Sequence, residues 1–134
     1  MNKVDWIRQY NMIPHEEGGF YAEIWQAEAG FASHCYYLLP GGAMAKWHRL
    51  SGEELWLLHR GGPLEITLGG VGEKPEAEEN VLLDEANLHC LIPAKTWQRA
   101  HTKGDDALVS CIVSPAFSKT GWELYEESPK WTKE

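Results

Sequence analysis

From Phe20 onward the chain is broken by glycine and proline into short strand-like runs, and this punctuation constrains the fold more than any other feature. The runs are Phe20 to Ala27, Phe31 to Leu39, Ala43 to His48, Glu54 to His59, Leu64 to Leu68, Asn80 to Leu83, His89 to Ile92, Thr96 to Ala100, Ala107 to Val113 and Trp122 to Glu126. Turn signals stand at Pro40-Gly41-Gly42, Gly61-Gly62-Pro63 and Gly69-Gly70. Many short strands at this spacing predict an all-β sandwich or barrel. Ahead of them, Val4, Trp6, Ile7 and Tyr10 recur at helical spacing, so one short helix over Lys3 to Asn11 opens the chain and ends before Pro14.

No repeat, linker or low-complexity tract divides the sequence, and the polar stretch 72–79 reads as an exposed loop. A single domain over residues 1–134 is therefore expected. At that length a core forms without disulfides or a structural metal. Cys35, Cys90 and Cys111 are odd in number, and each lies inside an apolar run. They read as buried free thiols in a reducing cytoplasm. The N-terminus lacks an apolar leader segment, and no stretch approaches the roughly 20 apolar residues of a membrane span, so a soluble, unexported protein is expected. A net charge of -8 without a basic stripe argues against nucleic acid as a partner.

The segment from Gly42, GAMAKWHRLSGEELWLLHRG, places five residues between Gly42 and His48, three between Leu50 and Glu54, and six between Glu54 and Gly61. Side chains alternate across a strand, so positions 48 and 50 share a face, and a tight turn can return Glu54 to it on the next strand. The spacing resembles the first cupin motif. Pro93 to Gln98 resembles the second, with Lys95 in place of its glycine and Gln98 in place of its histidine. Together with residues 14–23, 32–39, 48–56, 92–98, 114–117 and 121–124, these blocks resemble the cupin-superfamily family cupin_5 over nearly the whole chain. The resemblance implies a double-stranded β-helix, the cupin jelly-roll barrel, behind a short N-terminal helix. It also implies a homodimer and carries no established reaction.

A metal-binding cupin uses two histidines and the glutamate of the first motif, and the histidine of the second. The matching positions here are His48, Leu50, Glu54 and Gln98, so two imidazoles are missing. Leucine cannot ligate and a glutamine amide is a weak ligand, so no cofactor is expected; a weakly held divalent metal would fall on His48, Glu54 and Gln98, or on His101 if the register slipped. A histidine alone inside a barrel is ordinarily a hydrogen-bonded core residue. Beside Glu54, His48 instead reads as one member of a catalytic acid-base pair. Glu23, Tyr37, Trp56 and Gln98 are the expected ligand-binding lining, with Trp56 weighted toward packing and only one of Tyr36 and Tyr37 facing inward. Glu53 should be solvated, Trp97 should pack on the opposite face from Gln98, and Lys95 should sit in an exposed turn. His15, His34, His59, His89 and His101 form no ligand pair and default to surface or packing roles.

Three functions fit this reading. The first is a metal-independent, epimerase-like isomerase of a small polar, sugar-like metabolite; the second is a binding or sensing module for such a metabolite; the third is a metal-dependent enzyme with a reduced ligand set. The first follows by analogy from metal-free cupins that epimerise sugar nucleotides, and a fold alone does not fix a function.

Overall fold

A computed structural model describes residues 2–126. A helix, α1 (Lys3–Tyr10), leads into β1 (Ile13–Pro14), β2 (Phe20–Gln26), β3 (Ser33–Leu39), β4 (Met44–Leu50), β5 (Glu53–Arg60) and β6 (Leu64–Leu68). There follow β7 (Glu79–Leu83), β8 (His89–Ile92), β9 (Gln98–Thr102), β10 (Ala107–Ser114), a single 3-10 turn (Lys119–Gly121) and β11 (Trp122–Leu124). The strands form a six-stranded sheet in the order β1-β2-β3-β10-β5-β8 and a five-stranded sheet in the order β11-β4-β9-β6-β7. Every pairing is antiparallel, and the inner faces of the two sheets enclose the core. Among the described residues no helix is long and apolar enough to cross a membrane.

Each expected run is a strand, because each boundary has a local cause. The helix starts where the Asn2 side chain accepts from the Asp5 amide while Asp5 accepts from the Asn2 amide, and it stops where Asn11 turns left-handed (φ 53°). Its buried face presents Trp6 to Ala22, Leu38 and Leu108 on the outside of the six-stranded sheet. The strand at β1 was not expected, since two residues carry no periodicity. The eighth run, β9, begins later than expected, at Gln98 rather than Thr96, because Thr96 and Trp97 still belong to the turn: the Lys95 amide bonds to the Leu50 carbonyl and the Trp97 amide to that of Gly70.

One end of the interior is filled. Leu39, Ala45, Leu64, Ile66, Leu83, Ala100, Ala107 and Val109 are all buried there against one another. Toward the other end of the same strands, past Cys35 on β3 and Cys111 on β10, the interior opens into a cavity of about 250 Å³.

Candidate functional site

His48 reaches this cavity through an irregularity. In β4, Ala45 pairs with Ala100 and His48 with Gln98, so three steps on β4 match two on β9. This one-residue bulge reverses the alternation, which lets Ala45 and His48 both face inward, the latter only 2% exposed. The bulge also frees backbone groups. The Lys46 carbonyl accepts from His48 Nδ1 at 2.8 Å, so the ring proton sits on Nδ1 and Nε2 points into the cavity.

What Nε2 meets is Glu17, a residue the sequence reading did not single out. Glu17 Oε1 lies 3.5 Å from His48 Nε2, and its other oxygen lies 3.5 Å from His15 Nε2 and accepts from the Trp122 indole at 3.3 Å. A tight turn at 15–19 aims it. The Glu17 amide donates to His15 Nδ1, the His15 amide donates to the Gly19 carbonyl, and the Lys46 amide donates to the Glu17 carbonyl. Glycine is required at position 19, where φ is +74° and a Cβ would stand 2.5 Å from the Leu38 carbonyl oxygen. His15, assigned by default to a surface or packing role, therefore lines the cavity and holds the Glu17 carboxyl. The polar His-Glu-Glu triplet before paired glycines was the available signal, but its meaning depends on a contact with β4 far along the chain.

The electrostatics follow from burial. Removal from water pushes the Glu17 carboxyl up to about 7, against the lowering effects of His15 and the Trp122 hydrogen bond. Burial likewise raises Glu54, with His48, Gln98 and Cys111 opposing, and lowers His48, with Glu54 and the Lys46 hydrogen bond opposing. His15 is lowered by burial as well. Near neutral pH the site thus combines a neutral imidazole with a carboxyl that is partly protonated.

The positions expected from the sequence divide into two layers. His48, Glu54, Glu23, Tyr37 and Leu50 line the cavity, whereas Gln98 and Trp56 lie behind it. The Gln98 amide donates to Glu54 Oε1 at 2.8 Å and accepts from the Trp56 indole at 3.0 Å. Glu54 accordingly faces Gln98 and Cys111 and acts on His48 through space; the nearest carboxyl to His48 Nε2 is Glu17. Glu23 is exposed at the wall, and a bulge in β2 between Glu23 and Trp25 separates it from the face expected to be shared with Trp25. Tyr37 is buried and donates to the Gly18 carbonyl at 2.7 Å; burial holds its hydroxyl well above its ordinary value, so it braces the turn and is a poor proton donor. Tyr36 points outward against Tyr10. Glu53 is exposed, and Trp97 packs outside the cavity with its indole on the Gly72 carbonyl and Arg49 over its ring.

The set His48, Glu54 and Gln98 does not offer three free donors to a metal, because the Gln98 oxygen already accepts from Trp56. His101 cannot complete it, since inward-facing Ala100 and Thr102 flank it on β9. Among the described residues no group of three His, Cys, Asp or Glu side chains is arranged to hold a metal ion.

Residues 4–125 match the family Cupin_5, described as Cupin superfamily (DUF985). No curated protein matches the chain. Among solved structures it is similar to a protein from Shewanella oneidensis, at 28% identity over 94% of this chain and 85% of that one, with a TM-score of 0.82. It is also similar to a hypothetical protein from Leishmania major (24% identity, 93% and 88% covered, TM-score 0.79). A cupin-2 domain from Rhodospirillum rubrum is a further neighbour (12% identity, 87% and 75% covered, TM-score 0.66). The fold is the expected cupin jelly roll with a short N-terminal helix.

Proposed function

This chain belongs to the Cupin_5 family of the cupin superfamily, and from that premise we propose that its cavity binds a small, sugar-like hydroxycarbonyl compound and moves a proton on the carbon beside the carbonyl, as an epimerase or isomerase does. The observation that carries the reading is the buried Glu17 carboxyl set between two imidazoles, 3.5 Å from each. A neutral His48 Nε2 is a competent base, and a carboxyl with its proton affinity raised to about 7 can return a proton to the resulting enediolate at the same pH. Glu54, braced by Gln98, stabilises the imidazolium formed when His48 takes the proton.

Charge narrows the ligand. Glu17, Glu23 and Glu54 line the cavity, and its lysine, Lys119, is paired with Glu16 at 2.7 Å. A phosphate or carboxylate would enter a site with two buried acids and no arginine, so the reading is for an uncharged substrate rather than a sugar nucleotide.

Incubation with neutral aldoses and ketoses in deuterated water tests this by NMR. Deuterium should enter beside the carbonyl, at a rate about 10²- to 10⁴-fold lower in Glu17→Gln. Saturable binding without exchange at any carbon would overturn the proposal and leave a binding module in its place.

For the expected homodimer we propose contact through the outer face of the six-stranded sheet. Leu91, 53% exposed, pairs with Leu55, which pairs with Ile112, giving an apolar row across β8, β5 and β10. Sedimentation should show that Leu91→Glu shifts the protein toward monomer; an unchanged dimer would move the contact elsewhere.

A further inference from the structure

The same cavity contains chemistry that the proton-transfer reading does not use. Cys35 on β3 and Cys111 on β10 stand directly opposite each other in the antiparallel ladder, and both line the cavity. Residues so paired have Cα atoms roughly 4.5–5.5 Å apart and side chains on one face. That range lies inside the roughly 4.4–6.8 Å spanned by disulfides, so bridging needs little backbone movement. Cys35 is half-buried and Cys111 is buried, which gives the pair an accessible member and a sheltered one. The third thiol, Cys90, lies on β8 opposite Trp56 and does not line the cavity, so it has no such neighbour.

Buried cysteines are commonly inert packing residues. What separates this pair is its register, its position on a cavity wall open to small molecules, and the acid beside it. We propose that Cys35 and Cys111 form a cavity dithiol that a small hydroperoxide entering the site converts to a cross-strand disulfide. The Cys35 sulfur attacks the terminal peroxide oxygen and the O–O bond breaks. Cys35 becomes a sulfenic acid, and its former proton leaves on the alcohol or water released. The Cys111 sulfur then attacks the Cys35 sulfur, the S–O bond breaks, and hydroxide departs to combine with the Cys111 proton as water.

Two thiols and one hydroperoxide thus give one disulfide, one alcohol and one water, with two electrons passing to the peroxide. Burial holds the Cys111 thiol well above its ordinary range, which favours Cys35 as the attacking member. Glu54 lies on the neighbouring strand, diagonal to Cys111 and lining the same cavity, and is placed to take the Cys111 proton in the second step. Oxidation replaces the thiol beside Glu54 with a disulfide, which also alters the surroundings of the acid near His48.

The test uses the intact wild-type protein and hydrogen peroxide. After brief treatment, the protein is unfolded, alkylated with N-ethylmaleimide and mapped by mass spectrometry. Two of the three thiols should be lost, with a mass decrease of two hydrogens before alkylation. A peptide joining residues 35 and 111 should appear, Cys90 should be alkylated in full, and dithiothreitol should reverse the change. Cys90→Ser should leave the cross-link intact, and in Cys111→Ser the sulfenic acid at Cys35 should persist and be trapped by dimedone. Survival of all three thiols, a cross-link through Cys90, or oxidation of Cys35 to sulfinic acid with Cys111 still alkylated would overturn the proposal. None of these readouts depends on substrate exchange, so the fate of the proton-transfer reading leaves this test unaffected.

Discussion

The two ends of the barrel interior are made by the same alternation of strand side chains, yet they do opposite things. At the filled end, inward positions such as Leu39, Leu64, Ile66 and Val109 are aliphatic and almost wholly buried. Each contributes about 1.5–3 kcal/mol by leaving water. At the hollow end, inward positions on β4 and β5 carry His48 and Glu54, and the 15–19 turn adds Glu17. Burying these groups costs stability, raises the proton affinities of the two carboxyls and lowers that of the imidazole. The comparison teaches that the filled end supplies the rigidity against which the hollow end can hold unfavourable chemistry.

The largest expected effect is at the filled end. Ile66→Ala should lower stability by about 3–4 kcal/mol, read from the denaturant midpoint, because Ile66 is completely buried among Leu64, Leu83 and Ala100. Deuterium exchange per folded molecule should be unchanged, and a parallel loss of exchange would break the division between the ends.

Next is Glu17. Its carboxyl is raised from 4.5 to about 7, so the folded state holds the proton more tightly than the unfolded chain. That contribution is complete below pH 4.5 and is lost as the pH rises through about 7, a difference of about 3 kcal/mol. Glu17→Gln cannot ionise. It should match the wild type near pH 4 and exceed its stability by about that amount at pH 8, while exchanging poorly. Urea melts at several pH values check this, and a difference independent of pH would sink it. His48 and His15, whose affinities are lowered by burial, act in the opposite sense: they destabilise the folded state as the pH falls below 6.5 in both proteins.

Trp56→Phe probes the boundary between the ends. It removes the indole N–H from the Gln98 oxygen in a buried site, for an expected loss of about 1–3 kcal/mol. Exchange should weaken with it if the Trp56–Gln98–Glu54 chain positions Glu54; stability loss with unaltered exchange would make the chain structural only. Smallest is Lys95→Gly, outside both ends. Lys95 holds φ +66° where the motif has glycine, and relief of that strain should raise stability by at most about 1 kcal/mol, read from the denaturant midpoint. A loss of stability there would show that the lysine is held by more than its backbone.

Most of the fold was legible because strand breaks are local. Glycine and proline sit where chains turn, and each apolar run between them became a strand. Inward positions 54 and 56 also followed from alternation, since β5 is regular there, and position 98 from the resemblance to the second cupin motif. The site was less legible where regularity fails or where partners are remote. Ala45 and His48 share the inward face only by virtue of a bulge that pairing with β9 reveals, and Glu17 enters the cavity from a turn whose anchor is the Lys46 amide. Trp56 and Gln98 were expected at the ligand surface because alternation gives the face of a residue and not its depth. Cys35 and Cys111 each read as an isolated thiol, since nothing local sets β3 beside β10.

The bulge in β4 divides sequence length from sequence identity. Both fixed contacts of residue 46, to Glu17 and to the His48 ring, are made by its main chain. Descendants of this gene can therefore change the letter at 46 with little harm. Removing one codon between 45 and 48 would swing the imidazole to the exterior and leave the pocket without its base.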